Sequence, residues 1–376
     1  MSWSPQQEEA ISAVREWLAD ARGPQIFRLF GYAGTGKTTL AKELAESAKG
    51  KVLFATFTGK ASLVLRKKGC TGASTIHSLI YKVEVDERTG EALFELNPDS
   101  DLSNAALLIV DEVSMVGADL AKDLLSFGVK ILVLGDPAQL PPVKDEGFFI
   151  NAEPDVMLTE VHRQARDNPI IRMSMDIREG RRLHHGSFGS SQVIRRNAID
   201  RDHCGKLVIE ADQVLCGLNR SRATFNNRIR TMKKLTGKDE PWHPAIGDRL
   251  ICLRNDRKAG IFNGSMWETE DVSLTHGRSG LPHIETVVAS LDEERDPLTA
   301  RVLPHFFNGT EHEIDWRARR GFHEFTFGWA ITCHKSQGSQ WDNVLIFDES
   351  GAFREHARNW LYTAVTRAAE KVTVLV

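Results

Sequence analysis

The sequence lacks the features typical of secreted, membrane-spanning or metal-stabilised proteins. It has only five cysteines, they are scattered, and none forms a C-x-x-C pair. This pattern argues against a zinc site or a disulfide framework and predicts reduced thiols in a cytoplasmic protein. Long hydrophobic runs are missing, and the first ten residues are charged and polar. Neither secretion nor membrane insertion is therefore expected.

An excess of charge of one sign is also missing, since the formal net charge is -3. Any nucleic-acid site must therefore be a local groove and not the whole surface. Charged residues make up 26% and hydrophobic residues 41% of the chain, which is ordinary for a folded protein. The length of 376 residues exceeds what one hydrophobic core usually holds. Two main domains are predicted.

The most informative stretch is residues 30–39, Phe-Gly-Tyr-Ala-Gly-Thr-Gly-Lys-Thr-Thr, which fits the phosphate-loop pattern G-x-x-x-x-G-K-[ST]. Apolar residues at 26–30 predict a strand before it, and apolar spacing over 38–48 predicts a helix after it. A glycine-rich turn without a ligand is the simple alternative, but every position matches. The stretch predicts a site for ATP and Mg²⁺ formed by Gly31, Gly34, Thr35, Gly36, Lys37, Thr38 and Thr39.

Further buried strands end in polar groups suited to the same chemistry. The apolar run 107–110 leads into Asp111, which can hold Mg²⁺, and Glu112, which can polarise an attacking water. The run 131–134 leads into residues 135–142, where Gln139 can sense a γ-phosphate. Near the N-terminus, Gln7 has an amide that can read the adenine edge.

Two segments interrupt this alternation of strands and helices. Residues 81–96 alternate between polar and apolar side chains around a polar turn ending at Gly90, which predicts a β-hairpin. Residues 246–320 contain short alternating runs with an Asn-Gly turn, which predicts a small barrel. A third tract, residues 219–234, is basic without any acidic residue. A solvated helix face explains most of it, and the alternative for some of these residues is the lining of a channel for a nucleic-acid strand.

Together these segments resemble superfamily 1B helicases of the RecD-like and Dda-like group, which move 5′ to 3′ on single-stranded DNA. The resemblance covers nearly the whole chain. The matching segments, from the adenine-reading motif through motifs I, Ia, Ib, II, III, IV, V and VI, are residues 7–11, 31–38, 56–61, 75–79, 111–115, 135–141, 158–164, 325–338 and 361–368.

The resemblance implies roles for individual residues. Those acting on ATP are Lys37, Glu112, Gln139, Arg163 and Arg367, and the two arginines are expected to reach the γ-phosphate from the second domain. Those touching DNA are Thr56, Thr58, Lys60, His77, Phe94, Pro141, Thr332, His334, Lys335 and Ser336. Two of these have simpler explanations: His77 as a structural histidine, and Phe94 as an aromatic packed on the first domain.

The implied fold is α/β, with two RecA-like P-loop motor domains. The first domain is expected at residues 1–154, with a β-hairpin insertion at 81–103 that acts as a pin or wedge. The second is expected at 155–245 and 321–376, with an SH3-like β-barrel insertion at 246–320.

The implied function is an ATP-dependent DNA helicase that binds single-stranded DNA and single-strand/duplex junctions and works as a monomer. Three alternatives stay open at this point. A translocase without strand separation has the same ATPase motifs, and an RNA-directed helicase fits the motif spellings less well. A non-hydrolysing single-strand-binding module is disfavoured by intact Lys37, Asp111, Glu112 and Arg367.

Overall fold

The computed structural model describes residues 3–85, 92–142, 147–160, 167–256, 259–276, 282–315 and 317–376. In chain order its first half contains α1 (Pro5–Ala19), β1 (Ile26–Gly31), α2 (Lys37–Glu46), β2 (Val52–Thr56), α3 (Gly59–Lys67), β3 (Ser74–Thr75), α4 (Ile76–Ile80), β4 (Tyr81–Val85), β5 (Ala92–Leu96), β6 (Leu107–Asp111), α5 (Ala118–Leu125), β7 (Ile131–Gly135) and β8 (Val156–Leu158).

Helix α1 shows how local sequence determines an element. Ser4 caps it and Pro5 occupies its first turn. The Ser4 hydroxyl accepts from the Gln7 N–H while the Gln7 side chain accepts from the Ser4 N–H, which forms a capping box. Ala10 and Val14, four positions apart, are completely buried. The helix therefore packs one apolar face on the first sheet, close to β1.

The first sheet is parallel, with strand order β3-β2-β6-β7-β1-β8. The carboxyl ends of β1, β6 and β7 meet at one edge, where Gly31, Asp111 and Gly135 lie. Strand β8 pairs with β1, so the first domain extends past the predicted boundary at residue 154. A single short strand at 156–158 carries too little periodicity to be assigned to either domain from sequence.

The second half contains α6 (Pro169–Arg178), β9 (Gly186–Phe188), β10 (Ser191–Ile194), α7 (Arg201–Glu210), β11 (Gln213–Cys216), α8 (Asn219–Met232), β12 (Arg249–Cys252), β13 (Met266–His276), β14 (Pro282–Ser290), β15 (Leu298–Val302), α9 (His305–Asn308), β16 (Phe325–Phe327), β17 (Ala330–Thr332), α10 (Cys333–Ser336), β18 (Trp341–Phe347), α11 (Ala357–Val365) and β19 (Ala368–Leu375).

Its main sheet has the order β17-β11-β18-β19-β10-β9, parallel except for the edge strand β9. A separate five-stranded antiparallel sheet has the order β15-β14-β13-β12-β16. Strand β16 at 325–327 pairs with β12 and therefore belongs to this antiparallel sheet. It lies beyond the end of the predicted insertion at 246–320. The tract therefore leaves the second domain after α8 and rejoins its main sheet at β17, a few residues after β16.

Strands β4 and β5 pair with each other as a two-stranded antiparallel sheet. The turn predicted at residues 86–90 lies outside the described residues. Arg230, in the basic tract on α8, does not lie on a solvated helix face. It is buried, and its Nε lies 3.0 Å from Asp248 Oδ2. No helix in the described parts of the chain has the length and apolar character needed to cross a bilayer. All five cysteines are free.

Candidate nucleotide site and adjoining cavity

The loop between β1 and α2 has a backbone that requires glycine. Gly34 and Gly36 have φ values of +80° and +82°, where a side chain is strained. A Cβ on Gly31 would lie 2.7 Å from Thr35 Oγ1 and 2.9 Å from Leu158 Cβ. The predicted glycine positions therefore serve loop curvature and close packing against β8. This curvature lets successive N–H groups face one concave surface.

The cationic and hydroxyl groups of the loop point toward the strand ends. Lys37 Nζ donates to the carbonyl oxygen of Tyr32 at 3.1 Å, so the ammonium lies over the loop. Thr38 Oγ1 donates to Asp111 Oδ2 at 3.0 Å. Burial raises the pKa of Asp111, and the neighbouring carboxylate of Glu112 raises it further. A cation placed at this hydroxyl and carboxylate would offset that cost, since it favours the charged form.

Glu112 follows β6 in a left-handed conformation, with φ +56° and ψ +45°. This region is uncommon for a residue with a long side chain, and such outliers cluster at functional sites. The Glu112 N–H donates to Asp111 Oδ1 at 2.8 Å, which fixes the turn. The two carboxylates thereby take different environments: Asp111 is buried, and Glu112 is half-buried in the cleft wall.

A cleft of about 290 Å³ brings the predicted ATP residues together from both halves. Lys37, Thr39, Glu112 and Gln139 line it from the first half, and Arg367 lines it from the second. Arg367 is 6% exposed. Its Nε donates to the Thr363 carbonyl at 3.1 Å and its Nη1 to the Ser339 carbonyl at 3.3 Å. The guanidinium is thus held by backbone oxygens at the cleft wall.

Of the predicted nucleotide residues that the structure describes, Gln7, Gly31 and Thr35 do not line the cleft. Arg163 lies outside the described residues. Gln7 is buried, and its Nε2 donates to the Thr35 carbonyl at 3.1 Å. The Gln7 amide therefore braces the phosphate loop from α1 in this structure, and its reading of adenine stays a prediction.

These residues fit ATP and Mg²⁺. The concave loop, Lys37 and the N-terminus of α2 suit a phosphate chain. Thr38 and Asp111 offer two oxygen atoms that could hold a metal ion, and Mg²⁺ in nucleotide sites is typically held by one or two protein oxygens together with phosphates and water. Within the described ranges no group of three or more acidic, histidine or cysteine side chains could hold a metal ion. The first half thus provides a partial Mg²⁺ site that a bound phosphate chain would complete.

An adjoining cavity of about 490 Å³ is lined by five of the ten predicted DNA-contact residues. Thr58 and Lys60 line it from the first half. Thr332, His334 and Lys335 line it from the second, and burial lowers the pKa of both His334 and Lys335. Other members of the lining are Phe57, Met115, Leu218, Asn263, Gly264 and Phe353. Five polar groups predicted from separate motifs therefore face one space between the halves.

The remaining predicted contacts lie elsewhere. Thr56 and Ser336 are buried, and their hydroxyls donate to the backbone carbonyls of Thr58 and Cys333 at 2.8 and 2.7 Å. The structure therefore does not bring these two hydroxyls to the cavity. His77 packs against Phe94, with ring centroids 6.0 Å apart.

Pro141 is half-buried beside the motif III segment and is not among the residues that line this cavity. Phe94, on strand β5 of the hairpin, also packs against Tyr81, with ring centroids 5.8 Å apart. It nevertheless remains 55% exposed.

The wall between the cleft and the cavity is thin. Ser339 lines both spaces. Its neighbour Gly338 has φ +74°, and a Cβ there would lie 2.9 Å from Ala61 Cβ and 3.1 Å from Thr58 Oγ1. The absence of a side chain at Gly338 lets the second half approach α3 this closely.

Lys60 has a partner that sequence reasoning missed. Its ammonium lies 3.1 Å from Asp292 Oδ1, and both side chains are about a tenth exposed. It also lies 4.7 Å from the ring centroid of Trp341. Burial lowers the pKa of Lys60, and Asp292 opposes that shift. The pair joins α3 of the first half to the turn after β14 in the second, so Lys60 holds the two halves together where it lines the cavity.

We expect Asp292→Asn to destabilise the protein by about 3–5 kcal/mol, because it leaves a buried ammonium without its counter-charge. Asparagine can still accept the Met266 N–H, which donates to Asp292 Oδ2 at 2.8 Å. Urea unfolding measures the change. The matched control is Asp101→Asn in the exposed Lys51–Asp101 pair, expected to cost less than about 1 kcal/mol. Equal losses in the two variants would contradict a buried, energetically coupled Lys60.

Several lining residues carried too weak a sequence signal to be singled out. Asp136 and Tyr362 lie inside segments resembling motifs III and VI, and Gln340 follows motif V. Lys68, at the C-terminal end of α3, lines the cleft as well. The order Gly135-Asp136-Pro137 beside Gln139 was the available signal for Asp136.

The fold and the cleft define a P-loop protein built from two RecA-like domains, with the nucleotide groups divided between them. The chain matches the family model described as an AAA domain over residues 2–196 and the one described as a UvrD-like helicase C-terminal domain over residues 327–375. It belongs to this AAA family, and the two family matches together with the relatives described next support a RecD/Pif1-like helicase of superfamily 1B.

Individual relatives agree with this assignment. The ATP-dependent RecD2 DNA helicase of Deinococcus radiodurans is 30% identical over 96% of this chain and 48% of its own length. The ATP-dependent DNA helicase dda of Enterobacteria phage T4 is 37% identical over 40% of this chain and 37% of its own length. The chain thus spans about half the length of the RecD2 relative.

Among solved structures, Bacteroides Pif1 bound to ssDNA has a TM-score of 0.54 at 20% identity, covering 99% of this chain and 92% of that one. At this identity the match shows the fold.

Proposed function

We propose that the chain is an ATP-dependent DNA helicase that moves 5′ to 3′ on single-stranded DNA and separates duplex ahead of it. The observation that carries the proposal is the division of both spaces between two domains with a shared wall. Ser339 lines the cleft and the cavity alike. A change in how the domains meet therefore alters both spaces together.

In the proposed reaction each side chain has one role. Lys37 binds the β- and γ-phosphates, and Thr38 with Asp111 holds Mg²⁺, which supplies charge neutralisation and orientation of the phosphates when bound. Glu112 takes the proton of the attacking water. Arg367 stabilises the charge that develops on the transferred phosphoryl group, and Arg163 is proposed to do the same. Gln139 senses the γ-phosphate from the segment after β7.

Helix α3 supports coupling between the two spaces. Thr58 caps its N-terminus and lines the cavity, whereas Lys68 at its C-terminal end lines the cleft. Because a short helix moves as a rigid unit, displacement at one end is felt at the other. We propose that DNA is gripped by the Thr58 side and the His334 and Lys335 side in turn, once per ATP hydrolysed.

The partners proposed are single-stranded DNA and single-strand/duplex junctions, with a monomer sufficient for activity and the cytoplasm as the setting. The RecD2 and dda relatives are DNA helicases by name, and the Pif1 structure was solved with ssDNA. We propose that the five-stranded antiparallel sheet is the SH3-like insertion and that the hairpin of β4 and β5 is the pin. The five polar side chains that face the cavity support a contact with the DNA backbone that has little sequence preference.

The experiment compares unwinding of duplexes that carry either a 5′ or a 3′ single-stranded tail, with ATP hydrolysis followed in the same reactions. The proposal expects hydrolysis that rises strongly with single-stranded DNA and unwinding of the 5′-tailed substrate alone. Unwinding of only the 3′-tailed duplex would overturn the direction. Hydrolysis that is indifferent to DNA would overturn the helicase assignment.

A translocase without strand separation is the second candidate, and the hairpin decides between the two. We propose that β4 and β5 form the duplex-splitting element, since Phe94 is 55% exposed beside the rings of His77 and Tyr81. Those ring contacts also support a structural role for Phe94, so the residue and the hairpin are tested separately.

Replacing residues 86–94 by a short Gly-Ser turn is expected to abolish unwinding while DNA-stimulated ATP hydrolysis is kept, because the hairpin lies outside the cleft. Phe94→Ala is expected to slow unwinding about 5- to 150-fold, the range for losing one aromatic–base stack of about 1–3 kcal/mol. The control is Ile246→Ala, another exposed apolar side chain. Unwinding that survives the replacement would favour the translocase.

A further inference from the structure

One hydroxyl joins three segments across the domain interface. Tyr362 lies on α11 in the second half and is 1% exposed. The N–H of Ala33, in the phosphate loop, donates to Tyr362 Oη at 2.8 Å. The same hydroxyl donates to Asp136 Oδ2, just after β7, at 2.8 Å. A single group of the second domain thus fixes the phosphate loop relative to the segment that carries Gln139.

The neighbouring contacts make this junction rigid. Asn359 Nδ2 donates to the carbonyls of Ala138 and Gln139 at 3.2 Å each. The Leu140 N–H donates to Thr363 Oγ1 at 2.7 Å. One face of α11 therefore holds the whole loop 136–140. The phosphate loop is gripped from the same side, since the guanidinium of Arg178 lies 3.7 Å from the ring centroid of Tyr32.

Asp136 depends on these donors because it is 3% exposed. Burial raises its pKa, and the Lys37 ammonium, followed by hydrogen bonds from Tyr362 and from the Ala138 N–H, opposes that shift. A buried carboxylate oxygen that loses its donor keeps the full cost of desolvation. The Tyr362 hydroxyl therefore makes the position of Asp136 dependent on contact with the second domain.

We propose that Tyr362 is a positioning residue for ATP hydrolysis, whose hydroxyl holds Ala33 and Asp136 in the arrangement that a closed cleft needs. The inference rests on the proposed ATPase function. It adds a contact through which domain closure would directly position the phosphate loop and the segment that carries Gln139. Tyr362 lines a separate small space beside Pro137 and Arg178 and is not among the residues lining the cleft, so it acts through its two partners.

The test is Tyr362→Phe in the full chain, which keeps the ring and removes the hydroxyl. The expected result is a fall of about 10- to 100-fold in kcat for DNA-stimulated hydrolysis, the equivalent of one hydrogen bond to a charged group. The Kd for ADP and the Kd for single-stranded DNA are expected to stay within about twofold, since both sites keep their own contacts. This split between turnover and binding separates positioning from a general loss of structure.

A matched control removes a buried hydroxyl elsewhere. Thr286→Val in β14 deletes a donor to the Asp271 carbonyl, 2.7 Å away, and is expected to leave kcat unchanged at a similar loss of thermal stability. Asp136→Ala is the partner variant, because asparagine would keep an oxygen that accepts from the Tyr362 hydroxyl. The double variant with Tyr362→Phe is expected to be no slower than the slower single variant, since both changes remove the Tyr362–Asp136 hydrogen bond.

Near-normal kcat in Tyr362→Phe, or fully multiplicative losses in the double variant, would overturn the proposal. So would a fall in ADP affinity equal to the fall in kcat. Should Tyr362→Phe fail to fold, Asp136→Ala alone decides by the same split. A parent protein without DNA-stimulated hydrolysis would instead refute the proposed function, and the positioning role with it.

Discussion

Glu112→Gln is expected to abolish ATP turnover while nucleotide binding is kept. The amide preserves the shape of the side chain and cannot accept the proton of the attacking water, and loss of a general base typically costs about 10²- to 10⁴-fold. The turn geometry should survive because the Glu112 N–H, not its side chain, donates to Asp111. Phosphate release measures turnover, and equilibrium binding of a fluorescent ATP analogue measures affinity.

Lys37→Ala serves as the comparison because it should lose turnover and phosphate affinity together, since the ammonium that lies over the loop is removed. The control is Glu46→Gln on the exposed end of α2, which is expected to be neutral. Normal hydrolysis by Glu112→Gln would mean that the base lies elsewhere in the cleft.

Arg367→Ala is expected to reduce turnover about 10³- to 10⁵-fold, the range for arginines that contact a transferred phosphoryl group. The residue reaches the cleft from the second domain and is held there by the carbonyls of Thr363 and Ser339. Binding of single-stranded DNA should be largely kept, because Arg367 is not in the lining of the adjoining cavity. Steady-state hydrolysis with saturating DNA measures the effect.

Arg367→Lys sharpens this test, since lysine keeps the charge and loses the planar fork that meets phosphate oxygens in pairs. It should recover little of the lost rate. Arg172→Ala, at an exposed surface pair with Asp167, is the neutral control. Arg163→Ala is expected to resemble Arg367→Ala on the basis of its sequence motif. Turnover close to normal in Arg367→Ala would make this arginine a structural residue.

The nucleotide groups could be predicted because their signals are local. The phosphate loop, Asp111 and Glu112 each follow an apolar strand directly, and parallel strands bring their carboxyl ends to one edge. The contacts between domains could not be predicted in the same way. From sequence alone, Lys60 is interpreted as a cation without a counter-charge beside Thr58. Asp292 is more than 200 residues away in the chain and becomes its partner only in the folded protein.

Tyr362 illustrates the same limit from the other side. In sequence it is one residue in an amphipathic helix, where burial alone explains an aromatic. The role proposed for its hydroxyl can be inferred only from the fold, because Ala33 N and Asp136 Oδ2 belong to distant segments and each lies 2.8 Å from Tyr362 Oη. The shifted domain boundaries have a related cause, since β8 and β16 are three-residue strands whose partners lie far away in the chain.

The close approach at Gly338 has a further consequence for how the two sites communicate. Ser339 lines both the cleft and the cavity, and there is no room for a Cβ on Gly338 toward Ala61. Because close-packed interiors compress little, a shift of residues 338–339 caused by a ligand in one space would alter the other space directly. In the proposed helicase, coupling between nucleotide and DNA strand would then need no longer pathway through the domains.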